Sequence, residues 1–210
     1  MADYLNLQVA IDAGTTNMTV VRNNSANDDG VDTIATGITW FYFNSVQVTN
    51  LYVSGNSFTG FGANLEQLKV NRRDAKAYYL YSESGKIGRS SFYKIRWKGY
   101  SAYNQTADKY LQEYDVFVFD TGDIYLNFLD VPTGSVDGTN ALVCGGSTVS
   151  FSIVAGTPCE FTFTPSDAAT GTGWSVVSGR PNIVTSYKPS GNAVYELSGF
   201  IGKIKESSIS

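Results

Sequence analysis

Nineteen acidic residues and not one histidine bound the chemistry open to this 210-residue chain. Nucleophilic catalysis of the Ser-His-Asp or Cys-His type is excluded in its common forms, because no imidazole can take the proton. No P-loop and no Gly-x-Ser-x-Gly elbow is present. Paired carboxylates remain, as in glycoside hydrolysis, and the candidates are Asp115, Asp120 and Asp123, or Glu113 with Asp130. Two of these fall in an expected hairpin turn, where Asp serves backbone hydrogen bonding. Asp28, Asp29 and Asp32 crowd one loop and have the oxygens for calcium, but they lack EF-hand spacing, and a solvated loop is the simpler reading. Cys144 and Cys159 cannot supply the four ligands of a zinc site without histidine. A disulfide between them and two reduced thiols are both open. The expectation is a non-enzymatic protein with no cofactor and no resident metal.

Asp12-Ala13-Gly14-Thr15-Thr16-Asn17 resembles the first phosphate-gripping hairpin of the actin and sugar-kinase superfamily. That fold needs a much longer chain, a second phosphate loop and an adenosine pocket, none of which is visible, so the segment reads as a turn between strands. Asn17-Met18-Thr19 and Asn104-Gln105-Thr106 match the glycosylation sequon. The best binding signal is aromatic. Tyr100, Tyr103 and Tyr110 share a polar segment with Asn104 and Gln105, and exposed rings beside amides suit a sugar or a protein face. The alternative is that these rings cover the edge of a core.

The elements that must position these residues are strands. Leu5, Leu7, Val9 and Ile11 alternate with polar or small residues, and Thr19-Val20-Val21 suggests a partner strand. Residues 1–36 read as an N-terminal strand pair or arm with a loose loop. Residues 37–131 read as the main β domain. Within it Ile38 to Phe43, Val46 to Val53 and Ala77 to Tyr81 are β-prone, and Leu65 to Val70 has some helical flavour. Tyr93, Ile95 and Trp97 share one face of a strand while Lys94, Arg96 and Lys98 share the other, the period-two pattern of a half-buried strand. Tyr114 to Phe119 and Ile124 to Leu129 flank Asp120-Thr121-Gly122-Asp123 as a hairpin. After a linker-like Val131 to Ser135, residues 140–210 read as a second small β module or as completing strands. Short strands at this spacing predict an all-β, antiparallel β-sandwich, jelly-roll-like rather than parallel.

Composition agrees with that class. Charged residues are 16% of the chain, against roughly 25% in ordinary domains, and Gly, Ser, Thr, Asn and Tyr fill the gap. The net charge of −4 and the lack of a basic cluster beyond Arg72-Arg73 or the alternating Lys94, Arg96 and Lys98 argue against nucleic acid as a partner. No apolar run approaches the roughly 18 residues of a membrane span. Met1-Ala2-Asp3-Tyr4 leads into no signal-peptide pattern. Abundant apolar and aromatic side chains on a lightly charged chain suggest surface left over for copies of itself, a trimer being the first expectation.

Phe41-Tyr42-Phe43, Leu51 to Gly62, Phe92 to Tyr100 and Val116 to Phe128 together resemble the nidogen-like surface β-sandwich modules of bacterial extracellular and phage particle proteins. The resemblance covers residues 38–129. Gly55-Asn56 stands where that family usually has Asn-Gly. It implies adhesion or structure and brings no catalytic residues. Combined with the other features, it gives an expected role as a structural or receptor-binding component of a phage particle, such as a fibre, spike or capsid decoration. Its partners are then other particle proteins and host-surface glycan, and its location the virion. The rivals are a carbohydrate-binding or adhesion module at the bacterial surface and a carboxylate-dependent glycan hydrolase.

Overall fold

A computed structural model describes residues 18–87 and 90–181, and beyond them the backbone of three strands. The strand expected over Leu5 to Ile11 and the turn Asp12 to Asn17 lie outside the described residues. The strands in chain order are β1 (Thr19–Arg22), β2 (Val31–Ala35), β3 (Tyr42–Phe43), β4 (Val46–Gln47), β5 (Asn50–Ser54) and β6 (Phe58–Phe61). Next come β7 (Leu68–Arg72), β8 (Lys76–Ile87), β9 (Ser90–Tyr100), β10 (Leu111–Phe119), β11 (Ile124–Asp130) and β12 (Thr139–Cys144). The last are β13 (Ser147–Ser150), β14 (Cys159–Asp167), β15 (Thr172–Ser178), β16 (Thr185–Tyr187), β17 (Val194–Ser198) and β18 (Lys203–Ser207). Asp108–Tyr110 forms one 3-10 turn, and among the described residues no helix is long and apolar enough to cross a membrane.

Two antiparallel sheets make an all-β sandwich. One has seven strands in the order β1-β8-β9-β10-β11-β14-β15, the other six in the order β13-β12-β7-β6-β5-β2. β3 and β4 form a small ribbon, and β16 to β18 a three-stranded sheet of their own. The segment before residue 37 contributes to both large sheets, since β1 pairs with β8 and β2 with β5. The segment after residue 139 does the same: β12 pairs with β7, and β14 with β11. Leu68–Arg72 is a strand, where the sequence pattern had suggested helix. Its register against β12 slips between Thr139 and Ala141, and Asn71 there adopts a positive φ of 47°. A bulge of this kind adds a residue to one strand and re-aims its side chain.

The core forms where the inward faces meet. Leu80, Ile95, Trp97, Val116, Leu126 and Phe163 from one sheet pack on Leu51, Val53, Phe61, Leu68, Val70 and Leu142 from the other. Trp97 is fully buried, stacks on Tyr114 at 5.4 Å and 7°, and donates its indole N–H to the Ser54 carbonyl across the sheets at 3.0 Å.

A chain of buried polar groups crosses the same interface. Gln112 donates to the Ser57 hydroxyl at 2.7 Å and accepts from the Asn71 amide at 2.9 Å. Ser57 donates to the Val70 carbonyl, with the Tyr114 hydroxyl 3.2 Å away. The bulged Asn71 side chain also donates to the Ser135 carbonyl and accepts from the Gly138 N–H, each at 2.9 Å. Every one of these buried groups is therefore paired, as burial demands.

The face bearing Lys94 and Arg96 is not solvated, contrary to its charge pattern. Lys94 is 1% exposed and Arg96 5%. Arg96 makes a bidentate bond to Asp115 directly opposite on β10, both contacts at 2.7 Å. Lys94 pairs with Glu83 at 3.1 Å and lies over the Phe117 ring at 5.4 Å. Phe92, Phe117, Phe119 and Tyr125 are buried beside them. The seven-stranded sheet is thus buried on both faces along β9 to β11.

Trp97→Ala removes a stacked ring and a cross-sheet hydrogen bond together. It is expected to lower stability by about 3–5 kcal/mol, measured by urea unfolding. A midpoint equal to the parent's contradicts the packing described.

Candidate functional site

The strand register separates two ends of the sandwich. Tyr100 opposes Leu111, whereas Phe92 opposes Phe119 and Ile124 opposes Phe163. The Ser101 to Tyr110 connection therefore lies at one end, and the turns after β10 and β14 at the other.

The structure spreads the tyrosines singled out from sequence over different environments. Tyr103 is 47% exposed, Asn104 is exposed, and Tyr100, Gln105 and Tyr110 are partly buried. Tyr100 meets Tyr78 edge-on at 5.6 Å. Tyr110 lies against Gly134, where an added Cβ would come within 2.8 Å of its ring. The connection is held by backbone bonds from Ser101 to Tyr110, from Tyr103 to the Asp74 carbonyl and from Gly134 to the Lys109 carbonyl. Tyr103 and Asn104 thus project from an anchored loop, and the other rings seal its base.

The acidic loop is rearranged relative to its sequence reading. Asp32 is drawn away to Arg22, at 2.6 and 2.9 Å. Asp74, from the turn between β7 and β8, takes its place, so that oxygens of Asp28, Asp29 and Asp74 lie within 4.8 Å of one another. Partial burial and the two neighbouring carboxylates push the Asp28 carboxyl up from its ordinary value. One Asp28 oxygen has no hydrogen-bond partner. Gly55 beside it is required by close approach, since a Cβ there would strike the Asn27 and Asp28 carbonyls at 2.2 and 2.3 Å. This contact accounts for the Gly-first order at Gly55-Asn56.

The carboxylates considered for catalysis are mostly engaged in structure. Asp115 is spent on Arg96, and Glu113 on Lys98 at 2.8 Å. Asp120 accepts from the Ser91 N–H, while Asp123 accepts from Thr121 and Thr164. Asp130 opposes Glu113 across β10 and β11, and burial together with that charge raises its carboxyl. The cysteines are unbonded and sit on different sheets, Cys144 on β12 and Cys159 on β14. Burial pushes both thiols up, Cys159 to about 11, so neither is a ready thiolate at neutral pH.

At the opposite end lies a cleft of about 270 Å³ that sequence reading did not find. It is lined by Asn44, Leu142, Cys144, Gly145, Ser147, Val149, Thr172, Gly173 and Trp174. Two tight turns build its rim. Asn44-Ser45 and Gly145-Gly146 each place two consecutive residues at positive φ, the geometry that closes two-residue hairpins. The Gly171 carbonyl ties the parts together: it accepts from the Asn44 N–H at 3.0 Å and the Trp174 indole N–H at 2.9 Å, with the Cys144 sulfur at 3.6 Å. Gly171 itself is at φ 61°, and a Cβ there would meet the Tyr42 carbonyl at 2.0 Å. The lining residues come from three separate parts of the chain, around Asn44, from β12 and β13, and from the start of β15, which explains why no local motif announced the cleft.

No family model matches the chain, no curated protein matches it, and no solved structure matches it.

The raised Asp28 carboxyl has a definite sign in stability. Its folded value lies above the unfolded one, so the folded state gains relative stability as pH falls through the raised value and is disfavoured above it. Asp28→Asn is expected to raise the Tm slightly at pH 7, the gain shrinking toward pH ~4, where the unfolded carboxyl also protonates. Melting curves across that range that show a loss at pH 7 contradict the repulsion.

Proposed function

We propose that this chain is a non-enzymatic structural or receptor-binding component of a phage particle, a fibre, spike or capsid decoration, which makes contact through the Ser101 to Tyr110 loop. The observation that carries the reading is the anchored presentation of Tyr103. An exposed ring on a loop pinned to Asp74 and Gly134 offers contact area at little ordering cost on binding. Exposed Asn104 beside it supplies an amide for a neutral partner face. The engagement of Asp115, Asp120, Asp123 and Glu113 in hydrogen bonds and ion pairs favours a scaffold over a hydrolase. Self-association, with a trimer as the starting expectation, is supported by β15. It is the outer strand of the seven-stranded sheet, carries neither charge nor proline, and leaves Val177 61% exposed. Unguarded edges of this kind pair with further strands. The resemblance over residues 38–129 to nidogen-like surface modules points the same way and rests on its motifs alone.

Mass spectrometry of purified particles, sedimentation of the isolated protein and one variant test the reading together. The protein should be present in particles and sediment as an oligomer at micromolar concentration. Tyr103→Ala should stay within about 0.5 kcal/mol of the parent in stability while weakening attachment to cells or to the assembled particle. A destabilised variant that still attaches normally would place Tyr103 in the core edge and end the proposal.

A further inference from the structure

The geometry points to the cleft beside Trp174 as a binding subsite for a single neutral sugar ring. The inference rests on the reading of the chain as a non-catalytic binding protein and adds a ligand class and a second site, at the end of the sandwich away from Tyr103.

The lining decides the ligand's charge. None of its residues is ionic at neutral pH, since burial holds the Cys144 thiol protonated. A charged ligand would lose hydration there and find no counter-charge. A wholly apolar ligand is equally ill matched, because Asn44, Ser147 and Thr172 are part of the lining and bring an amide and two hydroxyls to it. The Asn44 amide and Ser147 hydroxyl make no hydrogen bond among the described residues, while Thr172 shares one with Thr170 at 2.9 Å. Unspent, uncharged donors and acceptors beside an indole match a pyranose. Its axial C–H groups form an apolar patch for the ring, and its hydroxyls project sideways to the polar groups.

Size and stiffness agree. At about 270 Å³ the cleft lies just under the roughly 300–1,000 Å³ of drug-sized sites, room for one ring and not for a chain. Trp174 is fixed before any ligand arrives, by its bond to Gly171 and by Phe43 at 5.4 Å. Asn44 is held by its backbone bond to Gly171, and its side chain rests against Gly145, where an added Cβ would lie 3.0 Å from the amide oxygen. A platform held in place beside a rim residue whose backbone is fixed gives up little freedom on binding, as recognition of a weak, hydrophilic ligand requires.

The test is a titration of the full chain with neutral methyl glycosides of glucose, galactose, mannose and N-acetylglucosamine, followed by two-dimensional NMR. At least one glycoside should shift the Trp174 indole and Asn44 side-chain signals at millimolar concentration. Asn44→Gly keeps the positive φ, and Ser147→Ala changes an exposed side chain at the start of β13, so both should fold as the parent does. Each should weaken that titration by about tenfold, the value of one lost hydrogen bond at 1.4 kcal/mol. The inference is overturned if no glycoside moves the Trp174 signal at tens of millimolar, or if neither variant alters a titration that does. It is also overturned if methyl glucuronide binds more tightly than methyl glucoside. Absence of sugar binding from a protein that is found in particles removes this site alone. Its absence from particles removes the display reading and leaves the titration to stand by itself.

Discussion

Ser57 and Gln112 meet between the two sheets, near the end that carries the Ser101 to Tyr110 connection, and the fold depends on that meeting being complete. A buried amide or hydroxyl left without a partner costs about 1–3 kcal/mol, so a polar group at a sheet interface is tolerable only where geometry satisfies it. Gln112 on β10 reaches Ser57 and Asn71 on the other sheet, and Asn71 closes the circuit onto Ser135 and Gly138. This constrains the backbone. Ser57, Asn71 and Ser135 all adopt positive φ, a region that non-glycine residues seldom occupy. The strain sits where the network needs the Ser57 and Asn71 side chains and the Ser135 carbonyl aimed at it. A shift of one sheet over the other breaks several bonds at once, together with the Trp97 bond to the Ser54 carbonyl, which gives the sandwich a single register.

The ion pair behind the same strand adds a second constraint. Arg96 and Asp115 are both buried, and removing Arg96 leaves the Asp115 charge without its bidentate partner in the interior, at about 3–5 kcal/mol, while Arg96 also has Glu113 at 3.6 Å. Such a pair adds less stability than well-packed apolar residues might; its effect is to fix the alignment of β9 on β10. With Trp97 locked on one face and Arg96 on the other, these strands form a stiff middle layer. What remains free to vary is the two ends, where Tyr103 projects and where Trp174 lines its cleft. Binding surfaces commonly fall on loops carried by a rigid scaffold of this sort.

Much of this was legible in the residues. The alternation of Tyr93, Ile95 and Trp97 and the Gly122 turn between two apolar runs are local signals, and each corresponds to a strand or hairpin in the structure. Lys94, Arg96 and Lys98 were misleading for a physical reason. Alternating cations mark a solvated face unless acids stand opposite them, and Glu113 and Asp115 are brought there by strand pairing alone. Leu65 to Val70 looked partly helical because neither its bulge nor its partner β12 is visible locally. Asp74 joined Asp28 and Asp29 through a turn distant in sequence. The cleft was hidden most thoroughly, since Asn44, Ser147 and Trp174 converge only after both sheets have formed. Its one local trace is the pair of turns at Asn44-Ser45 and Gly145-Gly146, which predict hairpins but not their convergence.

Native-state hydrogen exchange tests most directly whether the polar network makes one unit of the two sheets. Amides of β6 and β7 on one side and of β9 and β10 on the other should exchange through the same global opening, with equal free energies and equal dependence on low denaturant. A six-stranded sheet whose amides exchange through a separate, less costly opening, while β9 and β10 stay protected, would contradict the role given to Ser57, Asn71 and Gln112.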